Sequence, residues 1–586
     1  MHEYLIKNCR VVDGTGRDAY QANLAVSAGI ISYLGPQIPQ AKYVLDGTGK
    51  TVTPGFIDMH SHGDVSAPYY RYMESSLMQG VTTFVGGQCG YAPAPCDRFW
   101  TSQFIEMECL QRFGSRSGDV PLLGPPEGMA PLIRERFGVD FDWRTYHEYV
   151  AKLSRQGMGV NMVSFVGHGA IRAQVMGEDH RRAATQSEID AMKEYLIEAL
   201  DAGACGLSLG LDYATGCFAD PNELLQLCEC LRPYQGILTV HWRKTGLRDA
   251  SARRQRRIDG VREALELAKK TGVQLQISHL ASGYEIFPSD NDALAVCAAR
   301  ETLRLIEEYR TQGVNVYIDV IPNTTGGIIY APDLAMALLP EILSCDTREA
   351  FAQRLTESDY CASLIRRIHS GQFYDINPLI DPEWDRACVI LRCSQDSCVN
   401  RTIFELAREA GIDSVEMVLR LLREDPYTKV FRPMRGVQPA AIAAMIDDPH
   451  ASIGTDSFSV DLSPLFIYDQ KPDMPCYYPN PNTYHGMIHY IQTYPQQRFE
   501  DTIHKITGLP AQIMRLQDRG TITEGAKADL LLFDPHQLRT NSDLLDPRRY
   551  PFGMEYVFVN GIPAVANGEL THSLSGQFVD WQSIVR

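Results

Sequence analysis

Through the middle of the chain, short apolar runs rich in β-branched residues end in glycine or polar punctuation and alternate with amphipathic stretches. Eight such runs follow one another: 52–62 (VTPGFIDMHSH), 81–90 (VTTFVGGQCG), 161–169 (NMVSFVGHG), 205–213 (CGLSLGLDY), 237–243 (ILTVHWR), 274–280 (QLQISHL), 315–322 (NVYIDVIP) and 451–457 (ASIGTDS). Near-continuous apolar runs suit parallel strands covered on both faces, and the stretches 188–202, 261–271 and 299–312 have the spacing of covering helices. Eight strand–helix units of this kind predict an α/β fold built on a (β/α)8 TIM-like barrel. Two gaps exceed the pattern, about 91–160 after the second strand and about 323–450 after the seventh. Both leave the C-terminal ends of strands, where barrel enzymes build their sites, so each is a candidate lid or substrate-selecting insertion as well as a plain elaboration.

The two ends of the chain alternate short strands with turn signals: YLIKNCRVVDGTG and ANLAVSAGIISYLG at the front, KADLLLFDP and EYVFVNGIPAVANGEL at the back. Asn560-Gly561 marks a tight hairpin. Neither end carries enough apolar surface to fold alone, so residues 1–52 plus 515–586 are predicted to assemble one small β-sandwich beside a barrel domain over 53–514.

Composition narrows the class. Hydrophobic residues make up 44% and charged residues 22% of the 586, ordinary globular values, and no apolar run approaches the length that spans a bilayer. The first residues, MHEYLIKNCRVVDGTG, lack the basic start and apolar core of a secretion signal, so the expected location is cytoplasmic. Fifteen cysteines without a repeating spacing argue for reduced thiols over a disulfide framework. A net charge of −17 disfavours nucleic-acid and membrane-surface partners. The basic cluster Arg253-Arg254-Gln255-Arg256-Arg257 reads as a solvated face.

The candidate chemistry sits at strand ends. His60 and His62, at i and i+2 on the first strand, share one face and point into the barrel mouth. Cys89 follows the second strand, and His241, His279 and Asp456 lie on the fifth, sixth and eighth. Imidazole, thiolate and carboxylate together suit zinc over magnesium or calcium, which prefer all-oxygen shells.

In combination, TPGFIDMHSH, GHG, GLDY, ISHL, GTDS and the tail TGLPAQIMRLQDRGTITEGAKADLLLFDP resemble the amidohydrolase superfamily, and within it the D-aminoacylase, or N-acyl-D-amino-acid deacylase, branch, over nearly the whole chain. The resemblance implies a tightly bound zinc on Cys89, His241 and His279 and a second, weaker site on His60, His62 and Asp456. Relatives outside the branch bridge two metals with a carbamylated lysine from the fourth strand; 205–213 holds no lysine, and Cys89 is placed to substitute, with Cys96 as its decoy. The implied reaction is hydrolysis of an amide C–N bond in a small N-acyl compound, with Asp456 as catalytic base and then acid, and with His168, Tyr213 and Arg243 as substrate-binding candidates. Two cations with which this branch holds the substrate carboxylate are replaced here by Ala281 and Asn482; Arg243, Lys244 and Arg172 are the candidates to compensate. Ring opening of a cyclic amide or imide, as in hydantoinase-like relatives, is the alternative reaction, and a non-catalytic assembly protein is the alternative of another class. A homo-oligomer is compatible with the sequence.

Overall fold

The computed structural model describes residues 1–99, 126–212, 215–243, 257–284, 286, 291–324, 329–330, 341, 345, 347–370, 383–431, 438–463, 477–478, 480–541 and 547–585. Tyr213, Lys244 and Arg253 to Arg256 lie outside them, as do parts of both long gaps. Among the described residues no helix is long and apolar enough to cross a membrane.

The predicted runs form parallel strands: β1 (Phe56–Asp58), β2 (Val81–Gly86), β3 (Asn161–Ser164), β4 (Val166–Gly167), β5 (Gly206–Gly210), β6 (Ile237–His241), β7 (Gln274–Ile277), β8 (Val316–Val320) and β9 (Ala451–Ile453). Nearly every residue in them is buried, as parallel strands covered on both faces require. The helices among them include α1 (Glu74–Met78), α2 (Gln186–Asp201), α3 (Arg257–Thr271), α4 (Asp292–Arg310), α5 (Pro439–Ile446) and α6 (Asn482–Thr493). Sequence explains their starts: Thr185 and Glu188 form a reciprocal capping box at α2, and Asn291 caps α4 through Leu294 N.

The strands do not close into one barrel ladder, which corrects the simplest expectation. They fall into a three-stranded sheet, β1–β2–β3, and a six-stranded sheet, β4 to β9 in order. Phe165 interrupts the run between β3 and β4, and its N–H donates to Gly86 O (3.1 Å). At the other seam β1 meets β9 through separate backbone bonds: Met59 N to Ile453 O (3.1 Å), Asp456 N to His60 O (2.8 Å) and His62 N to Ser457 O (2.9 Å). At this seam Ile57 N donates to Ile506 O (2.7 Å) and not to β9. Buried Asp58 accepts the N–H groups of His60 (3.2 Å) and Thr455 (2.9 Å) on Oδ1, taking donors that a continuous ladder would give to carbonyls.

Strands from both chain ends pair in one nine-stranded sheet, where the sequence leads to the expectation of a small β-sandwich. Its centre is Thr51–Pro54, parallel to His2–Val11 on one side and antiparallel to Leu530–Phe533 on the other. The single run read over 52–62 thus divides at Gly55 between this sheet and β1; a Cβ there would stand 2.0 Å from Thr82 Oγ1. The Asn560-Gly561 hairpin is present, with both residues at positive φ (49° and 80°), as a tight turn of that kind requires. A buried polar node fastens the sheet to β3: Asn161 Nδ2 donates to Asp529 Oδ2 (3.0 Å), Arg519 donates to the same oxygen (2.8 Å), and Asn560 Nδ2 donates to Asn161 Oδ1 (2.8 Å).

Within the second long gap, residues 351–422 gather an apolar core of their own around Phe351, Trp384, Ile390, Leu406 and Val418. A two-stranded antiparallel pair, Ile329–Tyr330 with Tyr477–Tyr478, ties the segment leaving β8 to the segment leaving β9.

Candidate metal centre

Past the C-terminal ends of the parallel strands, the six predicted ligands converge. Cys89 Sγ lies 3.4 Å from His60 Nε2, 3.5 Å from His241 Nδ1 and 3.3 Å from His279 Nε2. Asp456 Oδ1 lies 3.1 Å from His62 Nε2 and 3.4 Å from His60 Nε2. Two groups of donor atoms, each drawn together within 4.8 Å, result: Cys89 with His241 and His279, and Cys89 with His60, His62 and Asp456. Cys89 is common to both. Cys96, by contrast, points its buried thiol at Trp143 O (3.7 Å), away from the cluster.

Local backbone places these side chains. β1 ends at Asp58, so His60 and His62 leave the strand in the short segment that crosses to β9; the i, i+2 spacing still brings both rings to Asp456. Gly454 allows that crossing, since a Cβ on it would stand 2.4 Å from His60 Cβ. Cys89 (φ 57°), His279 (φ 34°) and Asp456 (φ 50°) all sit in the left-handed region, a conformation uncommon for residues other than glycine, asparagine and aspartate. Each turns its side chain sharply off the end of its strand, and the surroundings hold the turn: Asp319 Oδ1 accepts His279 N (2.6 Å), and Ser208 Oγ accepts Gly90 N (2.6 Å).

The electrostatics fit a cation. Burial works against a thiolate at Cys89, yet His279, His60 and His241 outweigh it and hold the thiol well below its ordinary range. Burial likewise opposes ionised Asp456, and hydrogen bonds from His60 and His62 bring it well below the usual carboxylate range. Burial disfavours charge on His62, but Asp456 and Cys89 raise it to about 10. Cys89 and Asp456 thus favour protons on His60 and His62, in positions where a borderline-soft metal ion would take those lone pairs instead.

Three acidic residues that the sequence did not single out orient the ligands. Asp319, fully buried on β8, places Oδ1 3.3 Å from His60 Nδ1. Asp212 lies 3.5 Å from His241 Nε2. Asp58, raised to about 7 by burial against the hydrogen bonds it accepts, fixes the His60 backbone. All three stand inside runs quoted above, and no spacing signal separates them from strand residues.

The proposed substrate residues fare differently. His168 is fully buried with Nε2 2.7 Å from Glu223 Oε1, and Arg172 donates to the same oxygen (2.9 Å). Arg243 donates to Glu263 (2.9 Å) and to the carbonyls of Leu211, Cys217 and Ala219 (3.3, 2.8 and 3.1 Å). Both arginines are therefore engaged in holding loops together. Ala281 and Asn482 are buried.

The sequence profile of the amidohydrolase family matches residues 43–284 and 384–565. An N-acyl-D-aspartate deacylase of Alcaligenes xylosoxydans xylosoxydans is 26% identical over 97% of this chain and 93% of its own length. Among solved structures, a D-aminoacylase studied for its binuclear metal centre superposes with a TM-score of 0.69 at 23% identity, covering 99% of this chain and 100% of that one. An N-acyl-D-glutamate deacylase from Bordetella bronchiseptica, complexed with zinc and a phosphonate inhibitor, gives 0.66 at 22% identity over 99% of each chain.

Proposed function

The chain belongs to the amidohydrolase family, metal-dependent hydrolases of carbon–nitrogen bonds, and on that premise we propose that it removes the acyl group from N-acylated D-amino acids or closely related N-acyl compounds. The observation that carries this reading is the convergence on Cys89 of two donor groups, one of which includes a carboxylate. Support for the substrate class comes from the end-to-end likeness to a deacylase of N-acyl-D-aspartate. On the same reading the two parallel sheets are halves of a (β/α)8 barrel over 53–514, the nine-stranded sheet is the core of a smaller domain over 1–52 and 515–586, and the metal is zinc.

Cys89, His241 and His279 would hold a tighter ion, and His60, His62 and Asp456 would complete a looser second position. When bound, zinc polarises the substrate carbonyl and brings the pKa of a water molecule towards neutrality. The residues do the rest. Asp456, ionised because His60 and His62 hydrogen-bond it, accepts the water proton on a carboxylate oxygen and returns it to the departing nitrogen. Asp319 and Asp212 fix the rings of His60 and His241 so that their lone pairs face the centre. Water adds across the acyl C–N bond, leaving a carboxylate and a free amine.

Incubation of the purified protein with N-acyl-D-amino acids, analysed by mass spectrometry, tests the reading. Loss of the acyl fragment is expected, abolished by chelation and restored by zinc. Asp456→Asn is expected to lower kcat by about 10²–10⁴. Near-normal turnover of that variant with its metal still bound would overturn the mechanism.

A further inference from the structure

The turn that carries Cys89 is held from the interior by a side chain that the mechanism does not use. Gly87, Cys89 and Gly90 all have positive φ (69°, 57° and 76°), so the chain leaves β2 in a conformation that is unfavourable at Cys89 and must be held in place. Between them, Gln88 is fully buried and sends its carboxamide back among the strands. Its Nε2 donates to Met59 O (3.2 Å) and Val85 O (3.5 Å), and its Oε1 accepts the hydroxyl of Thr239 (3.1 Å). Thr239 Oγ1 in turn lies 2.9 Å from Ser278 Oγ. Because the one hydroxyl proton of Thr239 goes to Gln88, Ser278 is the donor in that second bond.

This chain of bonds runs through the neighbours of the metal donors. Met59 precedes His60, Gln88 precedes Cys89, Thr239 lies two residues before His241, and Ser278 precedes His279. One carboxamide therefore joins β6 and, through Ser278, the segment after β7 to the segment leaving β1. The first two bring His241 and His279 to one donor group, and the last brings His60 to the other. Cys89, the thiol common to both groups, is the next residue along from the side chain that makes the link.

Packing alone does not call for polar residues here. Thr239 and Ser278 are fully buried, and their chain neighbours Leu238, Val240 and Ile277 belong to the apolar core. A buried polar network whose members are paired fixes one arrangement where apolar contacts would tolerate several.

We propose that Gln88 is a positioning residue: through Met59 on one side and Thr239 and Ser278 on the other, it sets the Cys89 thiol where one sulfur serves both donor groups. The inference rests on the metal-centre reading above and adds to it the device that holds the shared ligand.

The test loads the full-length metal-free protein with cobalt(II), whose near-ultraviolet thiolate-to-metal charge-transfer band reports Cys89 directly, and measures zinc affinity by competition titration. Gln88→Met keeps the length of the side chain without its hydrogen bonds; it is expected to weaken zinc affinity about 10–100-fold and to shift or diminish the band. Thr239→Val cuts the link to Ser278 and should reproduce both changes, whereas Thr239→Ser keeps the hydroxyl and should retain the wild-type band and affinity. An unchanged band and affinity in folded Gln88→Met, or equal losses in Thr239→Val and Thr239→Ser, overturns the inference and leaves the metal centre standing. Failure of both Gln88→Met and Thr239→Val to fold assigns the network to the fold and also overturns it. A wild-type protein that shows no charge-transfer band on cobalt loading overturns the metal-centre reading and the inference with it.

Discussion

Cys89 serves two donor groups at once, and its thiol is held ionised by three imidazoles. Removing it takes a ligand from both. Cys89→Ala should therefore lower the zinc content measured by atomic emission to well under one equivalent and reduce kcat/KM at least a hundredfold, whereas Cys96→Ala should leave both unchanged. Asp319 acts one step back, on the ring of His60. Asp319→Asn is expected to weaken zinc affinity about 10–100-fold in a competition titration, with the fold retained. The donor residues that the structure draws together are legible in the sequence, because histidine, cysteine and aspartate stand out at the ends of apolar runs. Asp319, Asp212 and Asp58 are not: an acidic residue inside or beside a strand run announces nothing until its neighbours across the sheet are known. A titration follows from His485. Burial holds it down to about 4 against an ordinary 6.5, so the unfolded chain binds the extra proton between those values. Its stabilising contribution is complete above about pH 6.5 and is lost as pH falls through 4; the drop in Tm over that window should be shallower in His485→Gln.

The terminal sheet shares an apolar core with the parallel strands, and one polar joint is buried between them. Asp529 sits at the node that ties the terminal sheet to β3, taking hydrogen bonds from Asn161 and Arg519 on one oxygen and from Asn560 N (2.6 Å) on the other. Asp529→Ala leaves the buried Arg519 guanidinium with Asp518 (3.1 Å) as its remaining carboxylate and strips Asn161 and Asn560 N of their acceptor, and is expected to lose about 1–3 kcal/mol in urea unfolding. Strand positions were readable from apolar runs, and all eight predicted runs contain a parallel strand. What periodicity could not show is that one run can serve two sheets. Val52 and Phe56 look alike in sequence, yet Gly55 turns the chain from one sheet to the other. Nor could it show that Asp58 and Ile506 would accept backbone N–H groups at the seam between β1 and β9. The apolar core inside 351–422 was equally hidden, since a length excess says only that something is inserted, not that it packs on itself.

At the scale of the whole molecule, metal and fold are linked. The cluster draws its donors from the segments just after β1, β2, β7 and β9 and from the last residue of β6, so an ion there would join both parallel sheets. A ligand that binds only the folded state raises stability with its concentration, and chelation is expected to lower Tm measurably, with recovery on addition of zinc. The nine-stranded sheet adds a constraint of another kind, one of timing. Thr51–Pro54 lies between a strand at residues 2–11 and one at 530–533, and β1 begins two residues later. During synthesis at about 5–20 residues per second, the early strands wait roughly 25–100 s for their partner to leave the ribosome. His60 and His62 are thus among the first ligands made and among the last to be locked in place, and loading of the metal centre becomes an event that follows translation.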